Sequence, residues 1–526
     1  NASFKKMLRT SSTARSEKNF RAFLNSTSNS NNIRLKQNRL IVKTAHAMKS
    51  ATDTHLSSFA VNGLFIKNHA LDAPLFHQNL HYRQPNRKNG EAGRNEMIKI
   101  FLREIVSMKN KDRASNEMKT LLYLQGGPGF ECARVSEKNG WIGEMVERNF
   151  RVFLIDQRGT GMSSALTRQK IEREECGRGN DCDGESGGDS TNLIYYRADS
   201  IVEDCEIARR ELLGEGKKWD VVLGQSFGGF CLTTYLSFYG DEAIKQALLT
   251  GGVPPLSKKD PKDAYLKLLD RAKAQTIKYY KRFPGDKMIV NALVKLSKEK
   301  VCTTLNGNII SPRGIQALGF ALGTAGGFER LHYMFENAIN REEEEGEERI
   351  SDEFMNAFDK FHAFDSNPLY AILHESIYMD GHGIASNFAA ERAIQERSNE
   401  FDPLSPQNIE DGMLFTGEMV LPFFYDELKC LAPFKEIASS LQDRTDWPKL
   451  YDLEKLRKCT VPTACALYLD DMFVDFDLAT EVVNEFMGPN TRVYATNEYM
   501  HSGIREDGKR ILDKLLAMTN DEDPLR

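Results

Sequence analysis

Trp219-Asp220-Val221-Val222-Leu223-Gly224-Gln225-Ser226-Phe227-Gly228-Gly229-Phe230 carries an apolar run into glycine, serine and glycine, and then out into a helical pattern. Asp220 to Leu223 reads as a buried strand, Gly224 to Gly228 as a tight turn and Phe230 to Tyr239 as a helix. Gly-x-Ser-x-Gly in that setting is the pattern of a serine raised on a strained strand-to-helix turn, where glycines on either side relieve the crowding. In a chain with 38 glycines the five residues alone say little. Their weight comes from the strand that enters and the helix that leaves.

Outward from this turn the same grammar repeats. Leu121 to Gln125 (LLYLQ) is a short apolar run ending in Gly126-Gly127-Pro128-Gly129, and Val152 to Ile155 (VFLI) ends in Asp156-Gln157-Arg158-Gly159. Ile201, Cys205, Ala208 and Leu212 recur at helical spacing, with Asp199 or Ser200 to cap the start and Gly214 to end it. Gln246 to Thr250 is the next strand, before Gly251-Gly252. Strand and helix alternating in this way predict an α/β fold, a doubly wound, mostly parallel sheet whose chemistry lies at the carboxyl ends of the strands.

From about Val253 to Leu450 the chain turns helical, charged and aromatic, with little strand character, which predicts an inserted, mainly helical cap. Its acidic run, Glu342 to Glu345, reads as a solvated face. The α/β pattern returns with Thr463 to Leu469 (TACALYL), Arg492 to Thr496 (RVYAT) and a last amphipathic helix from about Asp507 to Met518. The expected division is therefore a basic segment over 1–50, the first part of the core over 51–252, the cap over 253–450 and the second part of the core over 451–526.

Apolar residues make up 40% of the 526, charged residues 28%, and the formal net charge is −5, a balance that asks for no nucleic acid partner. No apolar run is long enough for a membrane-spanning helix. The nine cysteines are scattered, without a C-x-x-C pair, and read as reduced thiols; Cys176 and Cys182 lie closest together, in a Gly- and Asp-rich stretch that reads as a surface insertion, with a local bridge or a weak metal site as the alternative. Residues 1–50 hold eleven Lys and Arg against one acid, Glu17, among many Ser, Thr and Asn. That is the composition of an organelle transit peptide or of a plain basic tail, so the location expected is mitochondrial or plastid in the first case and cytoplasmic in the second.

A serine on such a turn needs a base, and in this kind of fold the order is Ser, then Asp or Glu, then His. His501, in the loop NEYMHSG after the last strand, is the histidine in the right place. The acid belongs after the strand before it, where Asp470, Asp471, Asp475 and Asp477 follow Leu469. Spacing puts Asp471 first and Asp470 second, because two adjacent carboxylates cannot both point into one site. Acyl transfer also builds negative charge on a carbonyl oxygen, and preset N–H groups stabilise it. The N–H of Phe227 is one expected donor and that of Gly127, in the glycine turn, the other. None of this chemistry asks for a metal or an organic cofactor.

With these residues in hand the chain resembles the prolyl aminopeptidases (proline iminopeptidases) of the α/β-hydrolase superfamily. The phrases that carry the resemblance are QGGPGFE at 125–131, DQRGTGMSS at 156–164, GQSFGGF at 224–230, LTGGVPP at 249–255, and DDMFVD and NEYMHSG near the end. They favour Asp471, which Met-Phe-Val follows as it does the family's triad aspartate. Gln125 departs from the His that many members carry before Gly-Gly-Pro-Gly. Arg158, in the family's DQRG phrase, is expected as a structural brace. The resemblance implies an acyl-enzyme exopeptidase acting on short peptides with a free N-terminal proline, with an esterase or amidase for small acyl substrates as the alternative. It also implies cap glutamates around the substrate's ammonium group, which a partly desolvated pocket must neutralise. Glu375 (LHESIY) comes first, then Glu329 (GGFERLHY) and Glu418 (FTGEM), with Phe415, Phe423, Phe424 and Tyr378 to wall the pocket.

Overall fold

Alternate residues along each central strand enter opposite cores. On β4 (Lys119–Leu124), Leu121 and Tyr123 join one apolar cluster while Leu122 and Leu124 join the other; on β6 (Val221–Gln225), Val221 and Leu223 are divided in the same way from Val222. One cluster is closed by the helices Gly140–Glu147 and Gly508–Thr519, through Trp141, Met145, Ile511 and Leu515. The helices Ala198–Leu213 and Phe227–Ala243 close the other, through Ile201, Cys205, Phe230 and Tyr235. Strands buried on both faces are continuous apolar runs for this reason.

The computed structural model describes residues 54–77, 96–113, 117–171, 190–341, 348–362 and 364–522. Asn1–Leu56 form one unit, of which only 54–56 are described, and Ser57–Arg526 form the other. The basic segment 1–50, the stretch around Cys176 and Cys182, and the acidic run 342–345 lie outside the described residues. The seven cysteines that are described are free thiols. No helix among the described residues is long and apolar enough to cross a membrane.

The main sheet has nine strands in the order β1-β2-β3-β5-β4-β6-β7-β12-β13. β5 (Phe150–Ile155), β4, β6, β7 (Ala247–Thr250), β12 (Thr463–Tyr468) and β13 (Thr491–Thr496) run parallel to one another, and β2 (Leu64–Pro74) and β3 (Met97–Ser107) add an antiparallel flank. β1 (His55–Val61) lies at the edge. Between β7 and β12 the described residues contribute no strand to this sheet. They form helices, the longest being Pro261–Arg282, and two small ladders, β8 (Cys302–Thr303) with β9 (Ile309–Ile310) and β10 (Ile339–Arg341) with β11 (Glu348–Ile350). These ladders are the little strand content of 253–450; pairs of two or three residues are too short to leave a period in the sequence.

Arg158 is a fully buried brace. Its Nε and Nη2 donate to Asp204 Oδ2 and Oδ1 at 2.8 and 2.7 Å, and Nη1 donates to the carbonyls of Leu75 and Tyr195 at 2.8 Å each. Burial works to raise the Asp204 carboxyl, but the guanidinium beside it holds it below its ordinary value. Arg158→Ala would leave the buried Asp204 with His77 alone, 3.2 Å away, in place of a two-pronged guanidinium contact, so we expect a loss of about 3 kcal/mol of unfolding free energy, read from denaturant midpoints.

Candidate active site

Ser226 stands between the end of β6 and the first residue of the helix Phe227–Ala243, with φ 54° and ψ −127°. A serine in that region stores on the order of 1–3 kcal/mol of backbone strain. The helix starts at once at Phe227, three residues earlier than the glycines at 228 and 229 suggest, and this leaves the Phe227 N–H in the first turn, without an intrahelical acceptor. Gly228 is required here by close packing: a Cβ on it would lie 1.9 Å from the carbonyl oxygen of Leu124.

The glycine turn after β4 meets this serine. A Cβ on Gly126 would fall 3.1 Å from Ser226 Cβ and 3.6 Å from its Oγ. Gln157, from the DQRG phrase, holds the turn in place by donating Nε2–H to the carbonyl of Gln125 at 2.8 Å. The Gln125 side chain in turn has no part in that bond.

On the other side, Asp471 and His501 form a buried pair after β12 and β13. His501 Nδ1 lies 2.8 Å from Asp471 Oδ2, while Asp471 Oδ1 accepts the N–H groups of Phe473 and Val474 at 2.8 and 3.0 Å. Asp470 points elsewhere, to Lys278 at 2.7 Å. Burial alone would lower the imidazole pKa. The charge and hydrogen bond of Asp471 outweigh it, with Glu418 adding to them, and hold the ring above the ordinary histidine value. The Phe473 ring stands edge-on to His501 at 4.8 Å.

Gly251 and Gly252, at the end of β7, join the two halves. A Cβ on Gly251 would lie 3.2 Å from His501 Nδ1, and one on Gly252 would lie 2.9 Å from the Ser226 nitrogen. With Nδ1 turned to Asp471, the imidazole has Nε2 left for proton transfer. A hydroxyl on a strained turn, an imidazole oriented by a carboxylate and a glycine turn beside the hydroxyl are together able to run acyl transfer.

The three glutamates separate. Glu375 is buried and holds a helix start: its two oxygens accept the N–H groups of Ala389 and Ala390, at 2.8 and 2.9 Å, at the head of the helix Ala389–Glu396. Burial raises its carboxyl to about 7, against the pull of these bonds. Glu329 pairs with Arg282 at the surface, where the two side chains are 39% and 57% exposed, and no hydrogen bond or ion pair among the described residues ties it to the site. Glu418 accepts the hydroxyl of Tyr370, whose ring lies 5.1 Å from Phe130, the residue after the glycine turn, and its charge is among those that raise His501. Of the aromatic residues read as a wall, Tyr378 packs on Phe230 at 5.8 Å and on Tyr265 at 5.6 Å, whereas Phe415 is core, between Tyr280 and Phe335. Phe473, Tyr370 and Phe130 were missed as site aromatics. Phe130 and Phe473 stood inside the quoted phrases, and Tyr370 carried no signal.

Residues 119–308 match the family model described as alpha/beta hydrolase fold. The chain is 36% identical over 463 residues to the proline iminopeptidase of Aeromonas sobria, a match that spans 88% of this chain and 98% of that protein. The chain belongs to the proline iminopeptidase family. Membership makes it a hydrolase of the α/β-hydrolase fold, in keeping with the mostly parallel sheet. A second proline iminopeptidase, aneH of Aspergillus aculeatus (strain ATCC 16872 / CBS 172.66 / WB 5094), is 28% identical over 436 residues, covering 81% of this chain and 90% of its own. Among solved structures, the proline iminopeptidase of Mycobacterium smegmatis is similar with a TM-score of 0.35 at 11% identity, covering 81% of this chain and 97% of its own.

Proposed function

We propose that this chain releases N-terminal proline from short peptides through an acyl-enzyme formed on Ser226. His501 Nε2 takes the proton of the Ser226 hydroxyl as it attacks and returns it to the leaving amine; Asp471 orients the ring and stabilises its charged form. The N–H groups of Phe227 and Gly127 receive the oxyanion. The observation that carries this reading is the Asp471–His501 pair, linked through Gly251 and Gly252 to a strained serine, in a chain so similar to a proline iminopeptidase.

Residues 253–450 act as the cap that makes the enzyme an exopeptidase, and within it Glu418 meets the substrate's ammonium group. Glu418 is partly exposed and already close enough to bias His501, while Glu375 has both oxygens committed to a helix start and serves to hold that wall in place. Glu418→Gln is expected to raise KM for prolyl naphthylamide about 10- to 100-fold, the loss of one charge-assisted contact. A KM that does not move would remove Glu418 from this role.

The test of the activity is a panel of aminoacyl naphthylamides with proline among them, run beside a butyrate ester. Preferred release of naphthylamine from the prolyl substrate is expected. Dominant ester cleavage, with no proline released, would replace the peptidase by an esterase.

A further inference from the structure

The loop that carries Asp471 is gripped by residues 253–450 as well as by the sheet. Arg271 and Lys278 stand two turns apart on the helix Pro261–Arg282, and so on one face of it. Lys278 donates to Asp470 Oδ1 at 2.7 Å, just before Asp471. Arg271 holds the other end of the loop, with Nε on Asp475 Oδ2 at 2.8 Å and Nη2 on Asp477 Oδ2 at 2.7 Å. Between these two clamps the Phe473 ring stacks on Phe320 at 4.9 Å, and a Cβ on Gly323 would fall 2.6 Å from its Cε1. A Cβ on Gly417, the residue before Glu418, would lie 3.3 Å from the Met472 carbonyl oxygen.

The contact on Asp475 matters most. The pairs on Asp470 and Asp477 involve well exposed side chains, which hold little against solvent. The Asp475 side chain is only 1% exposed; its Oδ1 accepts the Leu478 N–H at the head of the helix Phe476–Glu485, and its Oδ2 takes the Arg271 Nε–H. A buried carboxylate that loses its cation must move toward water or draw water in. The segment that would move with it is the one that sets Asp471. Phe473 and Val474, immediately before Asp475, donate the two N–H groups to Asp471 Oδ1, and the same carboxylate meets His501 through Oδ2.

We infer that Arg271 is a positioning residue for the reaction: by closing on Asp475 it fixes the loop that presents Asp471 to His501. The cap then aligns the acid as well as covering the site. This rests on the reading of Asp471 and His501 as acid and base. A displacement of about 1 Å in such a group costs on the order of 100-fold in rate, which is the upper end of what loss of Arg271 can do.

The experiment measures kcat and KM for Arg271→Ala, for Asp471→Asn and for the variant carrying both. The substrate is prolyl naphthylamide, or the butyrate ester if the ester alone is cleaved. Arg271→Ala is expected to lower kcat by about 10- to 100-fold while KM stays within about threefold. Arg271→Lys, which still reaches Asp475, regains most of the rate. Lys273→Ala, which removes the ion pair of the same helix with Glu400, changes neither constant. In the Asp471→Asn background, losing Arg271 as well is expected to cost less than about twofold more, because the position it fixes no longer matters. The pH profile gives an independent reading. Removing a cation would by itself move the His501 midpoint up, whereas an Asp471 that meets the ring less well moves it down, Glu418 and Arg505 being the other charges that act on the ring. A downward shift is expected. Asp475→Asn keeps the helix cap and should repeat both the loss in kcat and its absence beside Asp471→Asn; it decides the question if Arg271→Ala does not fold. An unchanged kcat, or losses at 271 and 471 that multiply in full, overturns the inference while Asp471 keeps its role. Full activity in Asp471→Asn alone would overturn the acid assignment and the inference together.

Discussion

Ser226→Ala is expected to lower kcat on prolyl naphthylamide by on the order of 10^5- to 10^6-fold, leaving the fold and its unfolding midpoint essentially intact. The hydroxyl is the only atom removed, so the strained turn, the glycine contacts of Gly126 and Gly252, and the Asp471–His501 bond all remain. Labelling by a fluorophosphonate, read as a mass shift on the intact chain, is expected to disappear with the turnover. Ser226→Gly makes the same chemical deletion and also relieves the backbone at φ 54°. Because glycine accepts that conformation without its Cβ, this variant is expected to be more stable than Ser226→Ala by about 1 kcal/mol, the strain relieved less the entropy that glycine adds to the unfolded chain. Turnover that persists in both variants would take the nucleophile away from Ser226.

β4, β5, β6 and β7 were legible because they are apolar runs that lead into glycine-bearing turns, and β12 because its apolar run ends in aspartates; apolar runs need no partner to be recognised. β2 and β3 were not, and the reason is chemical. Their pairing buries Asn68, His69, Arg103 and Glu104, with His69 to Glu104 at 2.9 Å and Arg103 to Asn68 at 3.0 Å, and Arg151 of β5 reaches Glu104 as well. Polar residues that satisfy one another across strands interrupt the hydrophobic pattern by which a strand is found. The candidate site divides along the same line. Ser226 and His501 lie on segments whose chain order and local turn reveal them. Glu375 and Glu418 look alike in sequence, since each stands near aromatic residues within a helical stretch. Only the fold shows that one meets the head of the helix Ala389–Glu396 and the other meets Tyr370 and the field of His501.

Asp471→Asn is expected to cost about 10^4-fold in kcat, less than loss of the serine but large for a change that keeps the side chain's shape. The reason lies in the two oxygens of Asp471. Oδ1 accepts two backbone N–H groups, from Phe473 and Val474, so the asparagine carbonyl takes that position. Its NH2 group is then left where Oδ2 meets His501 Nδ1, and it donates to that nitrogen. The ring proton moves to Nε2, which has no lone pair left for the Ser226 hydroxyl. The pH profile separates this from a general loss of structure. In the wild type kcat/KM rises as His501 loses its proton, with a midpoint above the ordinary imidazole value, because Asp471 and Glu418 favour the charged ring more than burial opposes it. Without the Asp471 charge and hydrogen bond, burial gains weight and the residual activity should titrate at lower pH. Stability follows the same sign: a folded pKa above the unfolded one means that the Asp471–His501 pair stabilises the fold fully below the unfolded imidazole pKa and loses that contribution as pH rises through the folded one. The stability gap between wild type and Asp471→Asn should therefore be widest on the acid side of the imidazole titration and narrow on the alkaline side. A gap that is constant across the titration, with an unshifted rate profile, would show that Asp471 acts on the loop alone and not through the charge of His501.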